Sequence, residues 1–219
     1  MIDGLQVFDD FEPKCAALNM AVDEALLVDS AAPVLRFYRW QRPSISFGYF
    51  GRYAEVAPES DRREIVRRWT GGGIVPHGAD LTYSVIIPKT HPFFPRSSLQ
   101  IYAALHDAIR GALEANGVDA LLASNAAPKI SENCFANAVR ADVMSRGQKI
   151  AGAAHRRTRA GLLHQGSIQQ MDLPDPFRDD FARMLCPRFT RMKLSPEMMG
   201  RAEEIAKRKY GTAEWLARW

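Results

Sequence analysis

VRADVMSRGQKIAGAAHRRTRAGLLHQGSIQ, residues 139–169, packs three strand-like runs into one short stretch. The runs VRADVMS, QKIAGAAHRR and LLHQGSIQ are separated only by Arg146-Gly147 and by Arg159-Ala160-Gly161. Such turns join antiparallel neighbours, whereas parallel strands need a long crossover between them. Further out, LTYSVIIP (81–88) places Leu81, Tyr83, Val85 and Ile87 on one face, and Pro88 closes it. VLRFYRW (34–40), SISFGYF (44–50) and EIVRRWT (64–70) are also strand-like, being rich in aromatic and β-branched residues.

Helices frame these strands. In CAALNMAVDEALLVD (15–29), Leu18, Ala21, Val22, Ala25 and Leu26 share one face, and Asp23 and Glu24 are expected off it. SSLQIYAALHDAIRGALEANG (97–117) repeats Leu99, Tyr102, Leu105, Ile109 and Leu113 at helical spacing. Ser97 or Ser98 can cap it and Gly117 can end it. Residues 123–134 are small and polar and predict a long loop, and the tail from 195 to 219 is an amphipathic helical stretch. The expected fold class is α/β (α+β): one domain over residues 1–219, with a mixed, largely antiparallel sheet flanked by helices. Helices between all the strands would have predicted a doubly wound parallel sheet, and that pattern is absent.

Composition narrows the function classes. With 219 residues, 47% hydrophobic and 25% charged, the chain suits a soluble domain with one well-buried core. No apolar run is long enough to predict a membrane span, and the N-terminus lacks a basic-then-apolar signal pattern, so the cytoplasm is the expected compartment. Cys15, Cys134 and Cys186 cannot all pair and show no CxxC spacing, which argues against a disulfide framework and a zinc site; no metal site is expected. A net charge of +4 favours an acidic protein partner and is too small to imply nucleic acid.

RRWTGGGIVPHGADLTYSVIIP (67–88) sets three glycines ahead of a strand. It fails the P-loop template, which needs a lysine and a hydroxyl residue opening a helix. It fails the dinucleotide fingerprint for want of the following helix. Two readings stay open: a bulged hairpin turn, or a backbone wall whose bare N–H groups meet a ligand. Lys149 is similarly open. It is either a solvated charge or, given Gly147, Ala151, Gly152, Ala153 and Ala154 around it, a cation with room for a ligand beside it.

Taken together, these segments resemble the lipoate-protein ligase and octanoyltransferase family. The arginine pair, Thr70-Gly71-Gly72, His77 and the strand after it occur there in this order. RFYRWQRPSISFGYF, GQKIAGAAHRRTRAGLLHQGSI and the closing AEEIAKRKYGTAEW are similar to further family segments. The resemblance implies that Arg68, Thr70, Gly71, Gly72, Gly73, His77, Gly152, Ala153, His164 and Gly166 bind substrate. It implies that Lys149 holds the acyl carbonyl or the acyl-adenylate, and that Phe47, Tyr49 and Val75 line the acyl tunnel. His77 and His164 are expected to hold the loop in place, since neither sits in a recognisable nucleophile–base pairing. Asp80 could position an amine or a turn.

The family uses two chemistries. Ligases activate free lipoate or octanoate with ATP and Mg2+. Octanoyltransferases take the acyl group from acyl carrier protein on a cysteine, with no cofactor. Cys134-Phe135 resembles the cysteine-dependent branch, although Ala136-Asn137-Ala138 departs from the Pro-Ser expected there. His77-Gly78-Ala79-Asp80 departs from the ligase pattern His-Asp-x-Gly-Asn. Cys134 is therefore the expected nucleophile, with its thiolate favoured by Lys149. The implied acceptors are lipoyl carrier domains, such as glycine cleavage H protein or 2-oxoacid dehydrogenase E2. The rivals are an ATP-dependent ligase and a non-catalytic acyl-binding protein. The short tail after Tyr210 is expected to leave no room for the accessory domain of many ligases, which weighs against a self-sufficient ligase, although a separately encoded accessory chain would supply it. A biotin ligase is disfavoured because the Gly-Arg-Gly-Arg-rich loop is missing.

Overall fold

A computed structural model describes residues 2–126, 135 and 137–218 of the chain. The N-terminal half runs β1 (Gln6–Lys14), α1 (Ala16–Asp29), β2 (Val34–Trp40), β3 (Ser44–Phe47), β4 (Glu64–Arg67), β5 (Val75–His77) and β6 (Leu81–Pro88). Next come α2 (Ser98–Ala115), β7 (Leu121–Leu122), β8 (Val143–Ser145), β9 (Gln148–Arg157) and β10 (Gly161–Ile168). The chain continues through α3 (Phe177–Leu185), β11 (Thr190–Met192), α4 (Pro196–Ile205), a π-helical turn (Ala206–Tyr210) and α5 (Ala213–Leu216).

Eight strands form the main sheet in the order β11-β1-β2-β6-β10-β9-β8-β7, and β4-β3-β5 form a second, small sheet. The run β2-β6-β10-β9-β8 is antiparallel throughout, as the short turns require. Among the described residues, parallel pairing is confined to β1 with β2 and β11, and to β3 with β4. The expected mixed, largely antiparallel sheet flanked by helices is what the chain forms.

Both faces of the main sheet are covered. Leu35, Phe37, Tyr83, Val85, Ile87 and Leu162 meet Ile101, Leu105 and Ile109 of α2 and Phe177 and Phe181 of α3. Val34, Tyr38, Ile86 and Leu163 meet Met20, Val22 and Leu26 of α1 and Ala202 of α4. Burying each large apolar side chain contributes about 1.5–3 kcal/mol, so these two layers dominate the stabilisation. The α2 face falls where the spacing predicts, and Ser97 caps it in a reciprocal bond with Gln100. Leu99 is the exception, exposed on the first turn.

Three local expectations need correction. Residues 6–14, with three acids and a proline, form a strand that the sequence did not announce. SISFGYF ends as a strand at Phe47, because Gly48–Gly51 turn to meet the glycine loop. Asp23 does not face away from the core: it is fully buried and pairs with Arg36 of β2 at 2.8 Å. The Arg36 guanidinium also donates to Asp10 of β1 at 2.7 Å and to the Asn19 side chain at 2.8 Å. Burial works against its charge, and the Asp23 and Asp10 carboxylates outweigh that and raise its pKa.

The tail docks where it matters for the pocket. Arg67, fully buried at the end of β4, donates to the carbonyls of Tyr49 and Gly51 at 2.8 and 2.7 Å, and to those of Trp215 and Leu216 at 2.9 and 2.8 Å. Trp215 returns its indole N–H to the Arg67 carbonyl at 3.0 Å. One side chain therefore ties the helical tail to the turn beside the glycine loop. No helix among the described residues is long and apolar enough to cross a membrane.

Candidate functional site

A narrow cavity, open to solvent, lies between the two sheets. Gly152 and Ala153 of β9 and Gln165 and Gly166 of β10 line it, together with Arg68, Gly72, Val75 and His77 from the glycine turn and β5. Met20, Tyr38 and Trp40 add apolar surface from α1 and β2.

The triple glycine is not a hairpin turn, since the strands on either side of it both pair with β3 and not with each other. A Cβ on Gly48 would lie 2.0 Å from the Gly72 carbonyl oxygen, so the two backbones touch with no space for a side chain. Gly72 itself has φ +87°, a conformation that favours glycine. Arg68 braces the turn from inside, donating to the carbonyls of Gly71 and Gly73 at 3.0 and 2.8 Å. Thr70 is buried and does not line the cavity; its hydroxyl donates to Gln165 at 2.9 Å. Gln165 in turn donates to Asp23 at 2.8 Å, which connects the pocket wall to the buried Arg36 cluster.

Lys149 is buried, not solvated. Its ammonium pairs with Asp142 at 2.8 Å, donates to the Asn137 carbonyl at 3.3 Å and lies 5.3 Å from the centre of the Phe135 ring. Asp142 also accepts from the Tyr102 hydroxyl at 2.5 Å and from the Val139 N–H at 2.7 Å. Burial, then the Asp142 charge, push the Tyr102 phenol well above its ordinary range, so Tyr102 remains a donor. Ahead of Asp142, Ala141 takes φ +68°, with its carbonyl held by His106 Nδ1 at 2.7 Å. That left-handed residue turns Asp142 inward, which is why β8 begins at Val143 rather than at Val139.

Gly152 completes the arrangement. A Cβ there would fall 2.4 Å from Lys149 Cε and 2.7 Å from Nζ. Gly152→Ala is expected to displace the ammonium while the fold adapts, at a cost of about 1–3 kcal/mol in stability. Thermal melting of the variant checks this. A wild-type melting temperature would contradict it.

His164 does not line the cavity. Its ring packs among Tyr83, Tyr102 and His106 on the side that meets α2, together with His155. Burial lowers the pKa of all three histidines: that of His106 falls to about 4, and that of His164 falls well below its ordinary value. A folded pKa below the unfolded value of about 6.5 contributes stability that is complete above that pH. The contribution is lost as pH falls toward 4, at about 1.4 kcal/mol per pH unit for one such histidine. Urea midpoints are expected to drop between pH 7 and pH 5, and less steeply in His106→Gln. A midpoint independent of pH would overturn this.

His77 lines the cavity. Its Nδ1 lies 2.8 Å from Asp80 and its Nε2 lies 2.6 Å from Ser46 Oγ, with Trp40 stacked at 4.1 Å. A pairing of the nucleophile–base type therefore exists, between residues 31 positions apart in the chain. Burial alone would raise the Asp80 carboxyl; the adjacent His77 and hydrogen bonds from His77, Ser167 and the Gly78 N–H hold it at about 2.

Of the predicted tunnel residues, only Val75 lines the cavity. Phe47 packs with Ile45 and Val56 in the small sheet, and Tyr49 packs on Trp215. Cys134 lies outside the described residues. The sequence reading missed Asp142, Tyr102, Ser46, Arg67 and Gln165. A lone aspartate inside the apolar run VRADVMS was the one available signal for the first.

Among the described residues, no group of three or more His, Cys, Asp or Glu is placed to hold a metal ion. Similarity to known proteins agrees with the architecture. Octanoyltransferase LipM of Oceanobacillus iheyensis is 38% identical over 165 residues, covering 71% of this chain and 60% of that protein. Octanoyltransferase LipM of Staphylococcus aureus is 34% identical over 176 residues, covering 73% and 64%. The chain thus spans under two thirds of the length of these curated relatives. Among solved structures, a bi-partite lipoate protein ligase from Thermoplasma acidophilum superposes with a TM-score of 0.77 at 21% identity, covering 99% of this chain and 97% of that one. Lipoate-protein ligase A bound with ATP superposes at 0.75 and 21%, covering 98% of each. At that identity the likeness establishes the fold. The sequence pattern described as lipoyl protein ligase A/B catalytic domain matches residues 15–193, and the chain belongs to that family.

Proposed function

We propose that the chain is an acyltransferase that moves an octanoyl or lipoyl group from acyl carrier protein to a lysine of a lipoyl carrier domain. In this reading Cys134 attacks the acyl thioester, the carrier thiol leaves, and the target lysine then attacks the acyl-enzyme. Thioester exchange is nearly isoenergetic, so no nucleotide is needed and ATP and Mg2+ play no part. The catalytic unit is one domain with the helical tail packed on it, working in the cytoplasm.

The observation that carries the reading is Lys149. Its buried ammonium, fixed by Asp142 and packed over Gly152 beside the cavity, is suited to an oxygen that gains negative charge during acyl transfer. Phe135, the residue that follows Cys134 in the sequence, lies against the same ammonium. The LipM relatives support the transferase branch, and the T. acidophilum ligase, described with its E2 lipoyl domain, supports a lipoyl domain as acceptor.

Intact-mass spectrometry after incubation with octanoyl acyl carrier protein, without ATP, tests this. The expected result is a mass gain of one octanoyl group that Cys134→Ser does not retain as a thioester. No gain, together with lipoyl-adenylate formation from lipoate and ATP, would make the chain a ligase. Neither activity would make it an acyl-binding protein.

A further inference from the structure

Acyl transfer through Cys134 leaves the Ser46–His77–Asp80 chain without a chemical task, although Ser46 and His77 both line the cavity. In the neutral form of the His77 imidazole, the surrounding donors set the proton positions. Asp80 accepts from the Thr82 and Ser167 hydroxyls at 2.7 Å each and from the Gly78 N–H at 3.0 Å, so it is an acceptor and His77 Nδ1 carries the proton between them. Arg68 Nη1 donates to Ser46 Oγ at 2.7 Å. The proton of Ser46 is then directed at His77 Nε2, 2.6 Å away. Trp40, stacked on the imidazole and bonded through its indole N–H to Thr82 at 2.7 Å, fixes the plane of the ring. A hydroxyl donating to an imidazole whose second nitrogen donates to a buried carboxylate is the arrangement that activates serine.

We infer that Ser46 is a second nucleophile of the acyl cavity and that the chain hydrolyses acyl thioesters through it. Ser46 Oγ bonds to the carbonyl carbon as its proton passes to His77 Nε2. The C–S bond breaks, and the thiolate takes that proton and leaves as a thiol. Water then gives a proton to His77 and its oxygen to the acyl carbon. The ester C–O bond breaks, Ser46 recovers its proton from His77, and the free acid departs. The Arg68 guanidinium, bonded to Ser46 Oγ, supplies positive charge next to the carbon under attack, whose carbonyl oxygen becomes the oxyanion. A network that only fastened β3 to β5 and β6 would need the same hydrogen bonds and would not react. The substrate class rests on the acyl-cavity reading proposed above.

Two measurements decide it. A fluorophosphonate probe on the wild-type chain, mapped by peptide mass spectrometry, is expected to modify Ser46, and at least about tenfold more slowly in His77→Asn. In the Cys134→Ala chain, octanoyl acyl carrier protein is expected to lose its acyl group to water, and adding Ser46→Ala to cut that rate at least about tenfold. An unmodified Ser46 in wild type would overturn the inference, as would equal hydrolysis by the two variants at matched melting temperature. Probe labelling needs no acyl carrier and no substitution, so it stands even where Ser46→Ala fails to fold. An acyl-Cys134 adduct with Ser46 unlabelled would defeat this inference and leave the transferase reading intact. A labelled Ser46 with no acyl transfer would do the reverse.

Discussion

Replacing Arg36 with methionine is expected to cost the protein about 3–5 kcal/mol, a large share of the stability of a domain this size. Arg36 is fully buried at the centre of the sheet and joins β1 through Asp10, α1 through Asp23 and the Asn19 side chain. Removing it strands the fully buried Asp23 carboxylate without a cation and takes one of two cations from Asp10, and the desolvation of Asp23 is the main source of the loss. Asp10 keeps a second cation in Lys14, whereas Asp23 keeps only hydroxyl and amide donors from Ser84 and Gln165 among its described partners. Adding Asp23→Leu to Arg36→Met is therefore expected to recover part of the loss, because it removes the buried charge left unpaired. Urea unfolding of the two single variants and the double variant checks this. A wild-type midpoint in Arg36→Met would show that the cluster contributes nothing net.

Lys149→Met is expected to lower acyl transfer by about 10²–10³-fold, the range found when a preorganised donor to a developing oxyanion is removed. The variant also leaves Asp142 buried without its cation, so some stability falls with activity. Lys149→Met with Asp142→Asn separates the two effects: it should regain stability and stay inactive. Lys149→Arg is not expected to rescue, since a planar guanidinium does not reproduce the position of a compact ammonium packed against Gly152. Transfer by Lys149→Met within a few-fold of wild type would remove Lys149 from the mechanism.

The sheet was legible where strands follow one another closely. Residues 139–169 and LTYSVIIP announced β8 to β10 and β6 because turns and alternation are local properties. β1 was not legible: QVFDDFEPK carries acids that read as solvated, and Asp10 is paired with Lys14 and with Arg36, 26 residues away. Asp23 misled for the same reason, since a helical wheel cannot see a cation on a strand behind it. The glycine loop, Lys149 and the small residues beside it were legible as a group through the family resemblance. The Ser46–His77–Asp80 chain was not, because it depends on β3 and β5 lying side by side with Ser44 opposite His77.

A crystal structure of the chain acylated by octanoyl acyl carrier protein, with no acceptor present, tests the central claim most directly. The account predicts a thioester on Cys134, its carbonyl oxygen within hydrogen-bond distance of Lys149 Nζ, and the alkyl chain in the cavity between Gly72, Val75 and Gly152. An acyl chain bound elsewhere, or acylation that requires ATP and places an adenylate phosphate against Gly71–Gly73, would contradict it.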